Sequence, residues 1–284
     1  MTEQSYRVYS WQQRGGWAPS FWGRVFDRLG TNRNLVWRLF LRDFSARYRQ
    51  TLLGVTWAIV VPVIAVGTFL LLSKSGVLDI GSIAVPYPLY ALLGLTVWQV
   101  FAGGLVACSN SLVAAGNMVV KVNFPKETLV VAAFGQAVVE FLVRLVLLVV
   151  LCMVYRFVPP AGALWFPAAI LPLALTTLGL GFILALANVV IRDIATIVVY
   201  LSNFLLLLTP VLYPIPESGP LAALSRYNPL TILVRVPCDL VIEGRLEEPL
   251  IFALSAILSV VFFLLAWRFF VLAEQRMTER MGTQ

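Results

Sequence analysis

Residues 128–155 read TLVVAAFGQAVVEFLVRLVLLVVLCMVY, an apolar run whose sole formal charges are Glu140 and Arg144. A helix that crosses the hydrocarbon core of a bilayer takes roughly 20 predominantly apolar residues, and this run supplies that length with room to spare. Runs of the same kind lie on either side of it, at 53–73, 87–109, 164–190, 194–213 and 249–271, so the reading is six spans. The run at 87–109 is rich in small residues, among them Gly94, Ala102, Gly103, Gly104 and Ala107, and that at 164–190 carries Gly179, Gly181 and Ala185. Small side chains let spanning helices approach closely. Only Arg192-Asp193 and a few neighbours separate the fourth run from the fifth, so that turn must be tight. The predicted fold is an all-α membrane protein with six transmembrane helices.

The rest of the chain agrees. Of its 284 residues 60% are hydrophobic and 12% charged, with a mean hydropathy of +0.88. A soluble domain is about a quarter charged and about half apolar. Residues 1–50 carry neither the short apolar stretch nor the small-residue cleavage site of a secretory signal, so the N-terminal segment is expected to stay cytosolic. Cys108, Cys152 and Cys238 lack metal-like spacing and read as small buried hydrophobes. There is no histidine, which excludes histidine metal sites, triads and proton relays.

Lysine and arginine fix the orientation. With a cytosolic N-terminus and six spans, the inside holds the nine arginines before residue 51 plus Lys121, Lys126, Arg192, Arg268, Arg276 and Arg280. The outside holds Lys74, Arg156, Arg226, Arg235 and Arg245, a ratio of 15 to 5. That asymmetry places both termini in the cytosol. It also accounts for the net charge of +7 as topology, facing anionic lipid, with no nucleic-acid partner implied.

Two connections are more than loops. Residues 214–248 hold Pro214, Pro216, Pro220, Pro229 and Pro237 between apolar clusters too short to span. They read as two short re-entrant or interfacial helices on the outer side, or else as an amphipathic surface loop. Residues 31–51, TNRNLVWRLFLRDFSARYRQT, place Arg38, Arg42, Ser45 and Arg49 on one helical stripe and Leu35, Val36, Leu39, Phe40 and Phe44 opposite. This predicts a helix in the cytosolic headgroup layer, basic side outward. Asp43 and Arg47 stand four apart in the order that favours an ion pair, either meeting another part of the protein or substrate, or solvated at the margin. The organisation expected is a cytosolic segment at 1–30, the interfacial helix at 31–51, the six-span domain at 52–272 and a cytosolic tail at 273–284.

The stretch from Arg42 through Asp43, Arg47, Tyr48, Arg49 and Gly54 to Trp57 resembles the start of the permease subunits of the type-2 ABC exporters that move O-antigen, capsule and teichoic-acid polymers. Four later places extend the resemblance. Asn117 to Lys121 with Phe124-Pro125-Lys126 is similar to the family's cytosolic loop between spans two and three. Asn188 with Arg192-Asp193 is similar to its next cytosolic turn, Thr209-Pro210-Val211-Leu212-Tyr213 to the end of span five, and Asn228-Pro229-Leu230 to the outer re-entrant pair. Ser45 and Thr51 depart from the family, and the first 30 residues have no counterpart in it.

The resemblance implies a homodimer of this chain with two copies of an ABC ATPase subunit, and an undecaprenyl-diphosphate-linked polysaccharide as cargo. ATP and Mg would bind the ATPase, leaving this chain a transport subunit without catalytic residues, cofactor or metal. In keeping with that, no Gly-Lys pair of a phosphate-cradling GxxxxGK[ST] loop occurs. A helix around Val113–Val122, stopped by Phe124-Pro125, would be the coupling helix seated in the ATPase, apolar anchors in a groove. Arg42, Arg47 and Arg49 beside Tyr48 would receive the lipid pyrophosphate, since a guanidinium fork suits phosphate oxygens; contact with ordinary anionic lipid is the simpler reading.

Glu140 and Arg144 are four apart in the third span, where charges are costly unless paired or hydrated. They are either a structural pair within one helix or groups lining the polysaccharide path. Trp57, Phe69, Trp98, Phe101, Tyr200, Phe204 and Tyr213 are aromatic candidates for such a path or for the lipid belt. A secondary transporter would call for more buried acids or inverted repeats, and a glycan-building enzyme for paired carboxylates or histidines. A type-2 exporter of drugs or lipids is the nearest alternative.

Overall fold

The computed structural model describes residues 30–48, 54–75, 85–116, 118–122, 124–213 and 228–281, with Gly23, Asp27 and Ser225 as single positions. Among the described residues the structure is helical, without strands. The helices are α1 (Arg33–Tyr48), α2 (Trp57–Lys74), α3 (Tyr87–Ala115), the single turn α4 (Met118–Lys121), α5 (Glu127–Val154), α6 (Phe166–Val190), α7 (Ile194–Leu208), α8 (Pro229–Ile242) and α9 (Pro249–Met281). Short 3-10 turns at Gly54–Thr56 and Ala161–Trp165 lead into α2 and α6. Each apolar run of the sequence is a helix. Four of them, α3, α5, α6 with its leading turn, and α9, are long and apolar enough to cross a membrane, while α2 and α7 are apolar but shorter.

The organising element is α3. It is buried along most of its length and packs against α5, α6, α7 and α8. Its small residues set those crossings. A Cβ at Gly104 would lie 2.9 Å from both Phe134 and Thr177 side chains, and on α6 a Cβ at Gly181 would lie 2.6 Å from Cys108 Cβ. The helices therefore meet at backbone distance, which gains dispersion contacts that hydrocarbon solvent cannot supply. Farther along α6, Phe182 packs with Trp267, Phe263 and Phe270 of α9. The outward faces of α5 (Val138, Leu142, Val146, Val149) and α9 (Leu250, Leu254, Ile257, Val261) remain exposed and apolar. Their spacing of three and four marks one helix face each, suited to lipid.

Several boundaries differ from the sequence reading. The helix expected over Val113–Val122 is divided: Val113–Ala115 are the last turn of α3, and Gly116, at φ 50°, breaks the chain before α4. A side chain at that φ is strained, so the break is written into the glycine. The α9 helix runs on to Met281. Of the two short helices expected over 214–248, the second is α8; the stretch meant for the first lies outside the described residues. So do Arg49, Asn117 and most of residues 1–30.

Candidate translocation site

The α1 helix is amphipathic as its spacing dictates, with Leu39 and Phe40 buried, Leu35, Val36 and Phe44 partly buried, and Arg38 and Trp37 exposed. It packs on α5. Phe40 fits over Gly135, where a Cβ would lie 2.9 Å from the ring. That contact sets α1 about a third of the way along α5 and turns Arg42 and Asp43 toward the end of α3. Arg42 Nε donates to Asp43 Oδ1 at 2.8 Å, and another of its guanidinium nitrogens reaches Met118 Sδ at 3.5 Å. Asp43 is thus held by its neighbour Arg42; the side chains of Arg47, the partner expected from helical spacing, and of Tyr48 lie outside the described residues.

Between α1, α3 and α5 opens a cleft of about 720 Å³. Arg42, Asp43 and Ala46 form one wall, Gly103, Val106, Ala107, Asn110, Ser111 and Ala114 the second, and Ala133 and Gln136 the third. Glycine and alanine create the space. A guanidinium, a carboxylate, two carboxamides and a hydroxyl line it, a set suited to an anionic ligand that also carries hydroxyls. One turn past Gly103 and Gln136, Gln99 Nε2 donates to Glu140 Oε2 at 3.4 Å. Arg144 follows one turn deeper on α5, buried and in electrostatic contact with Glu140. Glu140 is therefore tied both along its own helix and across to α3.

Below the cleft the chain turns through α4 into α5. Lys121 and Val122 are exposed, Val119 is buried, and α4 packs against α3 and α9. Phe124 and Pro125 are half-buried, and the Lys126 ammonium stands 4.2 Å above the Phe124 ring while donating to the Val122 carbonyl at 2.8 Å. The Lys126 backbone N–H donates to Glu274 of α9 at 3.1 Å, and Glu127 beside it is fully buried. Burial lowers the Lys126 pKa, opposed by the Glu274 and Glu127 carboxylates. A carboxylate at the start of a helix meets the positive end of its dipole, so Glu274 caps α5 from another helix.

The remaining motifs hold helix ends together. Asn188 donates from Nδ2 to the Ser109 carbonyl at 2.9 Å and accepts from Ala195 N–H at 3.2 Å, joining α6, α3 and the start of α7. At the far end Asn228 caps α8 through Leu230 N–H at 3.0 Å and donates to Thr209 Oγ1 at 3.1 Å, so two motifs separate in sequence are one structural unit with Pro229 at the first helical position. The aromatic candidates occupy different environments. Trp98, 3% exposed, packs against Phe101 in the core of the described residues. Tyr213 spends its hydroxyl on the Leu207 carbonyl at 2.6 Å. Trp57 and Tyr200, the latter 71% exposed, lie on faces this chain leaves open.

Residues 34–237 match the family described as ABC-2 type transporter. The chain belongs to that family. The O-antigen export system permease protein RfbA of Myxococcus xanthus is 30% identical over 90% of this chain and 97% of its own length. Two Klebsiella pneumoniae proteins of the same description are 26% and 24% identical, each over 79% of this chain and 84% of theirs. The matched region of this ABC-2 transporter chain begins within α1 and ends within α8. It contains every wall of the cleft, and α9 with Glu274 lies beyond it. Gln99, Gly103, Asn110, Gln136 and Glu274 were absent from the sequence-derived site. The two glutamines sit in apolar runs and were visible as uncharged polar residues; nothing in the sequence placed Glu274 beside Lys126.

Proposed function

We propose that this chain is the membrane-spanning permease subunit of an ATP-driven exporter that carries lipid-linked O-antigen polysaccharide out of the cytosol across the bacterial inner membrane. The observation that carries the reading is the cleft. It sits where an amphipathic basic helix meets two long apolar helices, and its lining combines a phosphate-binding side chain with sugar-binding ones. The similarity to O-antigen export permeases along nearly their whole length supports the same cargo. In this reading α2, α3, α5, α6, α7 and α9 are six spans, both termini are cytosolic, α1 lies in the inner headgroup layer, and α8 is the second of two re-entrant helices on the outer side.

Two copies of the chain form the channel and two ABC ATPase subunits drive it, binding ATP and Mg themselves. The ATPase docks on the segment from Asn117 to Lys126, where Lys121 and Val122 are presented and Lys126 is anchored behind them. The undecaprenyl diphosphate of the cargo meets Arg42, with Arg47, Tyr48 and Arg49 completing the basic group, and Asp43 holds Arg42 in place until phosphate displaces it. The glycan then passes Gln136 and Glu140, with Arg144 beyond, toward Trp57 and Tyr200 on the open faces.

Deleting the gene and locating the lipid-linked polymer tests this reading. Finished polymer accumulating inside the cell with none at the surface is the expected outcome. Unchanged surface glycan with no internal polymer would refute the cargo.

A further inference from the structure

The cleft ends at Gly103 on α3 and Gln136 on α5. The next turn of each helix, on the same faces, brings Gln99 and Glu140 together at 3.4 Å, closing the space. We infer that Gln99 and Glu140 are an inner latch that opens onto sugar, and that together they form the first subsite for the hydroxyls of the polysaccharide. This inference rests on the reading of the cleft as the loading site of a glycan exporter.

Gly103 supplies the independent observation. At Gly94, Gly104 and Gly181 an added Cβ would strike a different helix or segment, so those glycines serve close packing. At Gly103 the nearest atoms all belong to Gln99: a Cβ would collide with Nε2 and lie 3.1 Å from Cδ and 3.4 Å from Cγ. The Gln99 side chain lies flat along its own helix over the bare backbone of Gly103, and from there its amide reaches Glu140. The glycine is a cradle for the glutamine.

The chemistry fits a sugar. A carboxamide offers two donors and an acceptor, and a carboxylate only acceptors, so a vicinal pair of hydroxyls can bond both groups at once and replace the single bond between them. At 3.4 Å that bond is near the long limit for its type, as suits a contact to be exchanged. Arg144, in electrostatic contact with Glu140 from the deeper side, keeps a cation beside the carboxylate in a region where an isolated charge is costly.

The test uses the full complex with its ATPase in nanodiscs. ATP hydrolysis is measured against polyprenyl diphosphate bearing the polymer extracted from native cells, and against polyprenyl diphosphate alone. In the wild type the polymer should lower the half-saturating concentration relative to bare carrier. Gln99→Leu should raise the half-saturating concentration of the polymer-bearing carrier about tenfold, the scale of one lost hydrogen-bonded subsite, and bring the two carriers together. Gly103→Ala, which adds one methyl and leaves both polar groups in place, should do the same by displacing Gln99, and it keeps the test open if Gln99→Leu fails to assemble. If either assembled variant still separates the two carriers as the wild type does, the subsite is refuted. If both carriers weaken equally, Gln99 merely fixes α3 to α5 and the inference again fails. A wild-type complex indifferent to the polymer-bearing carrier would instead overturn the exporter reading itself.

Discussion

Replacing Glu274 should loosen the segment proposed to dock the ATPase. Glu274 is 5% exposed and accepts the Lys126 backbone N–H at 3.1 Å, across a sequence separation of 148 residues. Hydrogen bonds to a charged acceptor contribute about 1.5–3 kcal/mol, which is roughly a 10- to 150-fold change in the equilibrium for opening that amide. Glu274→Ala removes the acceptor and also withdraws a carboxylate that favours the Lys126 ammonium, so the burial-lowered Lys126 pKa falls further. Glu274→Gln keeps an acceptor without charge and should retain about half of the effect, since neutral bonds contribute about 0.5–1.5 kcal/mol. Hydrogen–deuterium exchange on the peptide covering 122–128, in nanodiscs, reads the opening directly. The Lys126 amide should exchange 10- to 150-fold faster in Glu274→Ala, with the order wild type, Gln, Ala. The functional counterpart is more ATP hydrolysed per polymer exported. An exchange rate within twofold of wild type in Glu274→Ala would refute the cap and with it the mechanical link from α9 to the docking segment.

Asn188→Leu strands the Ser109 carbonyl and the Ala195 N–H in a site 1% exposed, and should cost about 2 kcal/mol or more, read as a lower midpoint in thermal unfolding of the detergent-solubilised protein. Gly181→Ala should lower folded yield, because its Cβ would stand 2.6 Å from Cys108 Cβ; Cys108→Gly in the same chain should restore part of it, a coupling that two independent sites would not show. At the far end of the bundle, burial raises the Asp239 pKa from 3.8 to about 6, against the opposing pull of Arg235, with Glu243 and Glu248 pushing the same way as burial. The folded chain therefore binds a proton that the unfolded chain has released between about pH 4 and 6, so stability falls as pH rises through that window. Acidifying from pH 7 to 5 should stabilise α8 by about 1 kcal/mol, and Asp239→Asn should abolish the dependence. Arg235, which also pairs with Glu247, keeps its second partner throughout.

Much of the architecture was legible because it is local. Apolar runs of spanning length, glycines and prolines at their ends, and the two-faced pattern of residues 33–48 each depend on residues a few positions apart, and each is a helix in the structure. Less was legible where the packing of one helix on another sets the outcome. Helical spacing offered Asp43 a partner in Arg47, and the structure adds the adjacent Arg42 guanidinium, brought to the cleft wall by the seating of Phe40 on Gly135. Aromatic content offered Trp98 either to a path or to the lipid belt, and the rotation of α3 sets it against Phe101 within this chain. The family resemblance implied one helix around Val113–Val122, which the φ of Gly116 divides.

The sequence by itself determined which segments are helical, which of them prefer lipid, and where charge accumulates, because hydrophobic length and lysine–arginine asymmetry act through the solvent and require no partner. Only the tertiary structure decided that Arg42, Asn110 and Gln136 face one cleft, that Gln99 lies over Gly103 to meet Glu140, and that Glu274 caps α5. These groupings depend on the rotation and register of helices against one another. Both are set by a few close crossings at glycine and alanine, and no periodicity along a single helix encodes them.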